Sequence, residues 1–287
     1  MRKVELEQGS KEWLDWRKER LTATDAAALL GVSPYVTPFK CWERKVGQAP
    51  EQVVTSAMLR GLRDEPRARK MFIDMYGINM TPCCIESAEY DFLGASLDGI
   101  SDCGRYILEV KSQQLLPIKT FGVPEFHIPQ MQHQMMCDKK IEKCFYVSIW
   151  ENEIVVIEVL PDLNWRKEYL PKAMDFWKGV LLFDPPALSN RDYVDMSGKG
   201  DWNIVAKEYR AINDQIKRLE DQRCSLKKQL ISMCGENSCT GYGIKVLKKT
   251  IKGRIDYDKA FEALQIEEGR LAEFRKPSSS SWTITLD

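Results

Sequence analysis

What this chain lacks narrows it first. It has two histidines, His127 and His133. Without partners at the right spacing they make no zinc site, and a solvated or packed role suits both. Its nine cysteines contain no CxxC pair, so their spacing supports neither a zinc nor an iron–sulfur site. The odd count, and a start from Met1 to Trp16 that is charged and aromatic rather than an apolar export signal, point to reduced thiols in a cytoplasm. No apolar run approaches the ~20 residues a membrane helix needs. No internal repeat or extended low-complexity tract is visible. Net charge is also missing: 42 Lys and Arg balance 42 Asp and Glu, which by itself argues weakly against a nucleic-acid partner.

What is present is a chain of 287 residues, 44% hydrophobic and 29% charged, with a mean hydropathy of −0.38. This composition suits a soluble protein with a sizeable core. Charge is unevenly spread. Residues 202–254 hold twelve basic and five acidic residues, a balance of +7; residues 255–287 stand at −3, and the first 201 at −4. A basic appendage on an acidic domain is compatible with DNA binding, because phosphate contacts are local; a solvated lysine-rich helix explains the charge as well. The expected organisation is a domain over 1–184, a linker rich in Pro, Ser, Gly and Asp over 185–201, and an appendage over 202–287.

The first domain reads as mixed α and β. Ser10 can cap a helix to about Arg20, and Thr24 a second one, Asp25 to Leu30, stopped by Gly31. A long helix spans about Ser56 to Tyr76, ended by Gly77. Short strands follow at Cys84–Ser87 and Phe92–Ala95. Asp98-Gly99 signals a tight turn, and Tyr106–Lys111 reads as a strand. Pro129 opens a helix to about Cys137. Lys143–Trp150 and Glu153–Leu160 make a hairpin around Glu151-Asn152, and a helix from about Trp165 to Phe183 closes the domain. In the appendage, Tyr209, Ile212, Ile216, Leu219, Leu226, Leu230 and Met233 form a heptad stripe, with Arg223 at the skipped core position. It can pack on its own chain or face a partner. Gly241–Lys252 alternates like a strand, Asp256 can cap a short helix, and Trp282–Leu286 is a last strand after a Ser278–Ser281 hinge.

The chemistry centres on Asp98 and Leu108-Glu109-Val110-Lys111. Alternation puts Glu109 and Lys111 on one face, ~7 Å apart along the strand, and Leu108 and Val110 on the other. A carboxylate from Asp98, with Glu109 and the intervening backbone carbonyl, makes a hard oxygen site suited to Mg²⁺. A nearby lysine can orient or deprotonate a water and stabilise charge on phosphorus. This outlines metal-ion hydrolysis of a phosphodiester. The bland alternatives are a solvated strand face and an aspartate kept for its turn. Glu65, among arginines on the long helix, is a third acid or an ordinary i,i+4 pair with Arg69. Arg17 and Thr24 can form a phosphate pocket at a helix N-terminus, or be a surface arginine and an N-cap. Gln130 and Gln134 share one helix face and can meet the acidic cluster; Met131 and Met135 share another and read as core.

The order of these signals carries more than any one of them. Trp13-Leu14-x-x-Arg17, Leu21-Thr22-Ala23-Thr24-Asp25, Leu29-Leu30-Gly31, Gly61-x-x-x-Glu65-x-x-Ala68-Arg69, Ser96-Leu97-Asp98-Gly99, Leu108-Glu109-Val110-Lys111 and Gln130-Met131-Gln132 follow one another. The series resembles the YqaJ-type viral recombinases, the family of the phage lambda exonuclease, over about residues 8 to 160. It implies the PD-(D/E)xK nuclease superfamily, with a restriction-endonuclease-like α/β (α+β) core in which helices flank a central mixed sheet. It implies 5′→3′ digestion of one strand of duplex DNA with Mg²⁺, or Mn²⁺ in its place, leaving a 3′ overhang. It also implies a ring-shaped homotrimer, a single-strand annealing protein as partner, and a phage or prophage protein in the bacterial cytoplasm. Carried over by position, Asp98, Glu109 and the Val110 carbonyl are metal ligands, and Lys111 the catalytic lysine. Glu65 is the auxiliary acid, Gln130 the glutamine beside the site, and Arg17 and Thr24 the residues on the 5′-phosphate. Two departures stand out: Thr24 replaces a frequent serine, and Leu97 a frequent proline. The competing readings are an endonuclease or iron–sulfur nuclease, and a DNA-binding scaffold with little catalysis.

Overall fold

A computed structural model describes residues 2–50 and 54–249, and beyond them residues 253, 256, 259, 260, 263 and 264. The chain divides into two compact units, Met1–Tyr193 and Val194–Asp287. In the first, β1 (Arg2–Val4), α1 (Lys11–Lys18), β2 (Leu21–Thr22), α2 (Ala26–Leu29), α3 (Pro38–Lys45) and α4 (Ser56–Tyr76) precede three strands, β3 (Met80–Glu86), β4 (Leu93–Ser101) and β5 (Tyr106–Ser112). Then come α5 (Leu115–Phe121), α6 (Ile128–Met136), β6 (Lys143–Trp150), β7 (Glu153–Val159) and α7 (Leu163–Leu182). Local chemistry sets several ends. Ser10 Oγ accepts from the Trp13 N–H at 3.1 Å, the Asp162 carboxylate caps α7 through Asn164 and Trp165, and Gly77 closes α4 at φ 68°. Asn190–Asp192, inside the expected linker, forms a 3₁₀ turn, from which Arg191 donates to the Ser33 and Pro34 carbonyls at 2.8 Å.

The strands form one seven-stranded sheet in the order β1-β3-β4-β5-β6-β7, with β2 paired beside β4. β5 and β6 run parallel, as do β2 and β4; the other pairs are antiparallel. The parallel step needs a long crossover, and α5 and α6 supply it. Both faces are covered. Ile107, Leu97, Ala95 and Tyr146 pack with Met131 and Met135 of α6 and Tyr169 of α7. Leu108, Val110, Phe145 and Val147 pack with Ala68 and Phe72 of α4. The sequence-based expectation of a mixed sheet flanked by helices is met.

Three local expectations are corrected. Asp98-Gly99 is not a turn. β4 runs through it, and the chain reverses at Asp102–Arg105, where Gly104 takes φ 72°. Burial of Leu97 and Ile100, 0% and 1% exposed, outweighs the local turn preference of an Asp-Gly pair. Thr24 is not an N-cap: it lies within a 3₁₀ turn, Ala23–Asp25, while Thr22 and Asp25 cap that turn, with the Thr22 N–H donating to Asp25 Oδ2 at 2.7 Å. In the second unit, α8 (Gly200–Cys234) carries the heptad stripe, and Gly241–Lys252 is not one strand. β8 (Cys239–Gly241) and β9 (Ile244–Val246) form a hairpin around Tyr242-Gly243, both at positive φ as a two-residue hairpin turn requires. Asp256 accepts from the Lys259 N–H at 3.2 Å, as a cap should. The Ser278–Ser281 hinge and the Trp282–Leu286 strand lie outside the described residues.

Gly99 is therefore explained by space. A Cβ there would come within 2.9 Å of Met80 Cβ and 3.2 Å of Leu108 Cβ. Gly99→Ala is expected to destabilise the fold by about 1–3 kcal/mol through overpacking, read from the midpoint of chemical unfolding. An unchanged midpoint would contradict the close approach of β3, β4 and β5.

Candidate active site

The site forms where a β-ladder opens. β4 and β5 pair at Ile100↔Ile107 and Gly99↔Leu108 and no further. At the next step the Val110 N–H donates to Asp98 Oδ2 at 2.7 Å. In a strand a residue's C=O points to the same side as its N–H, so the Val110 carbonyl also faces this opening. β5 is held on its other edge by continuous pairing with β6 from Tyr106↔Lys143 to Ser112↔Ile149. Its end is tied to α4 by the buried Asp64, which accepts from Ser112 Oγ at 2.7 Å and from Arg67 at 2.9 Å.

Glu109 is 2% exposed and accepts three side-chain bonds. Lys111 Nζ and Gln130 Nε2 reach its Oε1 at 2.5 and 2.7 Å, and Gln134 Nε2 reaches Oε2 at 2.6 Å. Lys111 Nζ also donates to Gln130 Oε1 at 3.0 Å. Glu65 makes the i,i+4 pair with Arg69. Its Oε1 takes Arg69 Nη1 at 2.8 Å, and the same guanidinium nitrogen donates to the Asp98 carbonyl. Burial, then the charges of Glu109 and Glu65, push the Asp98 carboxyl well above the usual aspartate range, against the pull of Lys111. Burial alone would lower Lys111, but Glu109 and Asp98 more than offset it and hold the ammonium above its ordinary value.

Among the described residues no three His, Cys, Asp or Glu side chains converge to hold a metal. A cation here would rest on Asp98, Glu109 and the Val110 carbonyl, an all-oxygen set that suits Mg²⁺ with waters completing its shell. Burial first, and then the charges of Glu109 and Glu65, raise Asp98, and a divalent ion would offset that excess of negative charge. The histidines are packed, as expected. His133 is fully buried between the Tyr169 hydroxyl at 2.8 Å and the Gly94 carbonyl at 3.2 Å, and burial lowers it to about 4. His127 faces the Tyr146 hydroxyl at 2.9 Å, and burial and Lys111 lower it to about 3.

Arg17 and Thr24 do come together: Arg17 Nη2 donates to Thr24 Oγ1 at 2.6 Å. The Arg17 guanidinium lies 4.5 Å from the Trp13 ring. Trp13 Nε1 donates to Ser96 Oγ at 2.8 Å, two residues before Asp98 on β4. Below them, Lys45 Nζ, 5% exposed, pairs with Asp25 Oδ2 at 2.5 Å and donates to the Arg17 and Arg20 carbonyls. Burial would raise Asp25, but Lys45 and Arg17 lower it to about 2. Trp13, Ser96, Lys45 and Arg69 were not legible as site residues. Only the Ser96–Asp98 alternation on one strand face could have pointed to Ser96.

Known proteins resemble this chain in sequence and in fold. Residues 12–140 match the model of the YqaJ-like viral recombinase domain. Over that stretch the chain is similar to the YqaJ-like viral recombinases. The matched stretch contains every site residue named above except Tyr146 and Tyr169. The chain is also similar to the uncharacterised protein YqaJ of Bacillus subtilis (strain 168), with 25% identity over 250 residues and 78% of each chain covered. Its fold matches the alkaline exonuclease LHK-Exo of Laribacter hongkongensis, with a TM-score of 0.52, 24% identity, and 60% of this chain and 92% of that one covered. The same exonuclease in complex with dAMP gives 0.53. Among the described residues no helix is long and apolar enough to cross a membrane.

The raised Asp98 has a consequence for stability. The folded state holds its proton to higher pH than the unfolded chain does. Above the ordinary value of 3.8, the folded state therefore binds more protons, and stability falls as pH rises towards the folded value. Asp98→Asn should remove this slope. In chelator at pH 7–8 it is expected to raise Tm, by about 2–4 °C for each kcal/mol gained. A Tm that drops, or keeps the wild-type pH dependence, would mean that Asp98 is not the strained group.

Proposed function

We propose that this protein is a Mg²⁺-dependent deoxyribonuclease that digests one strand of linear duplex DNA from its 5′ end. The observation that carries the reading is the meeting of Asp98, Glu109 and Lys111 at the opened β4–β5 ladder. The similarity to YqaJ-like viral recombinases and the exonuclease fold support a nuclease.

Asp98, Glu109 and the Val110 carbonyl would hold the cation, with Mn²⁺ able to replace Mg²⁺. When bound it would act as a Lewis acid and lower the pKa of a water. Lys111, held as an ammonium by Glu109 and Asp98, suits orienting that water and stabilising charge on phosphorus better than taking a proton. Gln130, half-buried in the opening and bonded to both Glu109 and Lys111, sits where it can position the attacking group. Glu65, paired with Arg69, would be the auxiliary acid of the site, its charge reaching Asp98. The 3′ overhang produced is what a single-strand annealing protein would take up in recombination. We further propose a closed homotrimer around DNA, and native mass measurement at micromolar concentration should return three chains. A monomeric mass with processive digestion would refute the ring.

Asp98→Ala and Glu109→Gln are expected to abolish Mg²⁺-dependent cleavage of end-labelled linear duplex, with circular-dichroism spectra unchanged. Lys111→Ala should lower kcat by about 10²–10³-fold, as loss of one transition-state donor does, and leave DNA affinity nearly intact. Near-normal activity in either carboxylate variant would remove the assignment, as would parallel loss of binding and rate in the lysine variant.

Arg17 and Thr24 would hold a 5′-terminal phosphate beside Ser96. A terminal phosphate carries nearly two negative charges near pH 7, against one for an internal diester, so the pocket favours a phosphorylated end and gives digestion its direction. Arg17→Ala should slow 5′-phosphorylated duplex strongly and 5′-hydroxyl duplex little. Equal slowing of both ends would place the phosphate elsewhere.

A further inference from the structure

The far side of Glu109 carries an arrangement that the proposed chemistry leaves unused. Gln134, one turn after Gln130 on α6, is fully buried. Its Nε2 donates to Glu109 Oε2 at 2.6 Å and to the Ser96 carbonyl at 3.4 Å. Both partners are acceptors, so the amide has one orientation: turned over, its oxygen would face two oxygens. In that orientation Gln134 Oε1 is buried and meets no donor. An orphaned acceptor is a destabilising feature in a core, and the side chain's one short bond goes to the buried Glu109 carboxylate.

We infer that Gln134 is a positioning residue that fixes which oxygen Glu109 presents. With Oε2 tied inside the core, the carboxylate offers Oε1 alone to the opening at Asp98, where Lys111 and Gln130 lie. The two glutamines thus divide the work. Gln130 is half-buried in the opening, while Gln134 is sealed from DNA and acts only through Glu109. A carboxylate held to a single presented oxygen suits a small cation that demands near-octahedral geometry. The inference rests on the nuclease reading above.

The test uses the full chain as wild type, Gln134→Met and Gln134→Asn. Methionine keeps the length without a donor; asparagine keeps the amide but withdraws it from Glu109. Mn²⁺ binding is measured by calorimetry without DNA, duplex affinity by anisotropy in EDTA, then kcat, KM and Tm. Gln134→Met is expected to stay folded and to bind duplex in EDTA as wild type does. It should lose about 10–100-fold in Mn²⁺ affinity and in kcat, the usual loss for a group that orients a metal ligand, with KM unchanged. Gln134→Asn should show the same losses and carries the comparison if the methionine variant fails to fold. Wild-type Mn²⁺ affinity and kcat in these variants would overturn the inference. So would a fall in Tm with duplex affinity and rate lost together, which marks a purely structural residue. A wild type that neither binds Mn²⁺ nor cleaves DNA overturns the nuclease reading and this inference with it.

Discussion

Where the β4–β5 ladder stops, the Asp98 carboxylate takes the place of a backbone acceptor and receives the Val110 N–H. The rest of the site follows from that substitution. A buried N–H must find a partner, so the strands can separate only if a side chain supplies one, and Asp98 does so from the strand that is leaving. The opening exposes one face of β5 to α6, and Glu109 and Lys111 enter a space that ladder neighbours would otherwise fill. Three acids near one another, Asp98, Glu109 and Glu65, then need cations and amides close by. Lys111, Arg69, Gln130 and Gln134 meet that need. The imbalance that remains falls on Asp98, whose carboxyl is pushed up. Under the proposed reading, the place that would hold a divalent ion is for this reason a weak point of the fold, a familiar conflict between function and stability.

Much of this was readable in the chain. The β5 strand, α4 with its Gly77 stop, the Glu151-Asn152 hairpin and the closing helix α7 follow from period, caps and turn residues, and the structure shows them. Period 2 along Leu108-Glu109-Val110-Lys111 separated the α4-facing core from the site face. What failed was local reasoning at positions that burial controls. Asp98-Gly99 has the composition of a tight turn, but its neighbours are core residues, and Gly99 answers to the crowding of Met80 and Leu108 rather than to a left-handed φ. Thr22 and Thr24 are equivalent as capping residues on paper. Only Asp25, three residues after Thr22, chooses between them, and that capping box frees the Thr24 hydroxyl for Arg17.

Glu109 was placed correctly on its strand, yet its surroundings were out of reach of sequence. A carboxylate on an alternating strand reads as solvent-facing, because burying a charge without partners is costly. Here it is buried because α6 brings two amides and β5 itself brings an ammonium. The i,i+4 pair Gln130 and Gln134 was visible as a helix face, but which element that face meets is decided by the parallel β5–β6 crossover. That is a long-range fact that no local window contains.

The same strand that ends the ladder also sets a distance. Ser96 and Asp98 are two residues apart on β4, about 7 Å along it. Ser96 is fixed to Trp13, Trp13 lies under Arg17, and Arg17 holds Thr24. The buried Lys45 locks this group from below, bridging Asp25 to the carbonyls that end α1. Under the proposed reading, the pocket for a terminal phosphate and the carboxylates for the cation are therefore two points on one rigid strand, not two loops that must find each other. Such a ruler needs no net positive charge on the chain. It needs one guanidinium and two hydroxyls held at a fixed distance from one carboxylate pair, so an overall charge of zero is no obstacle to acting on a polyanion.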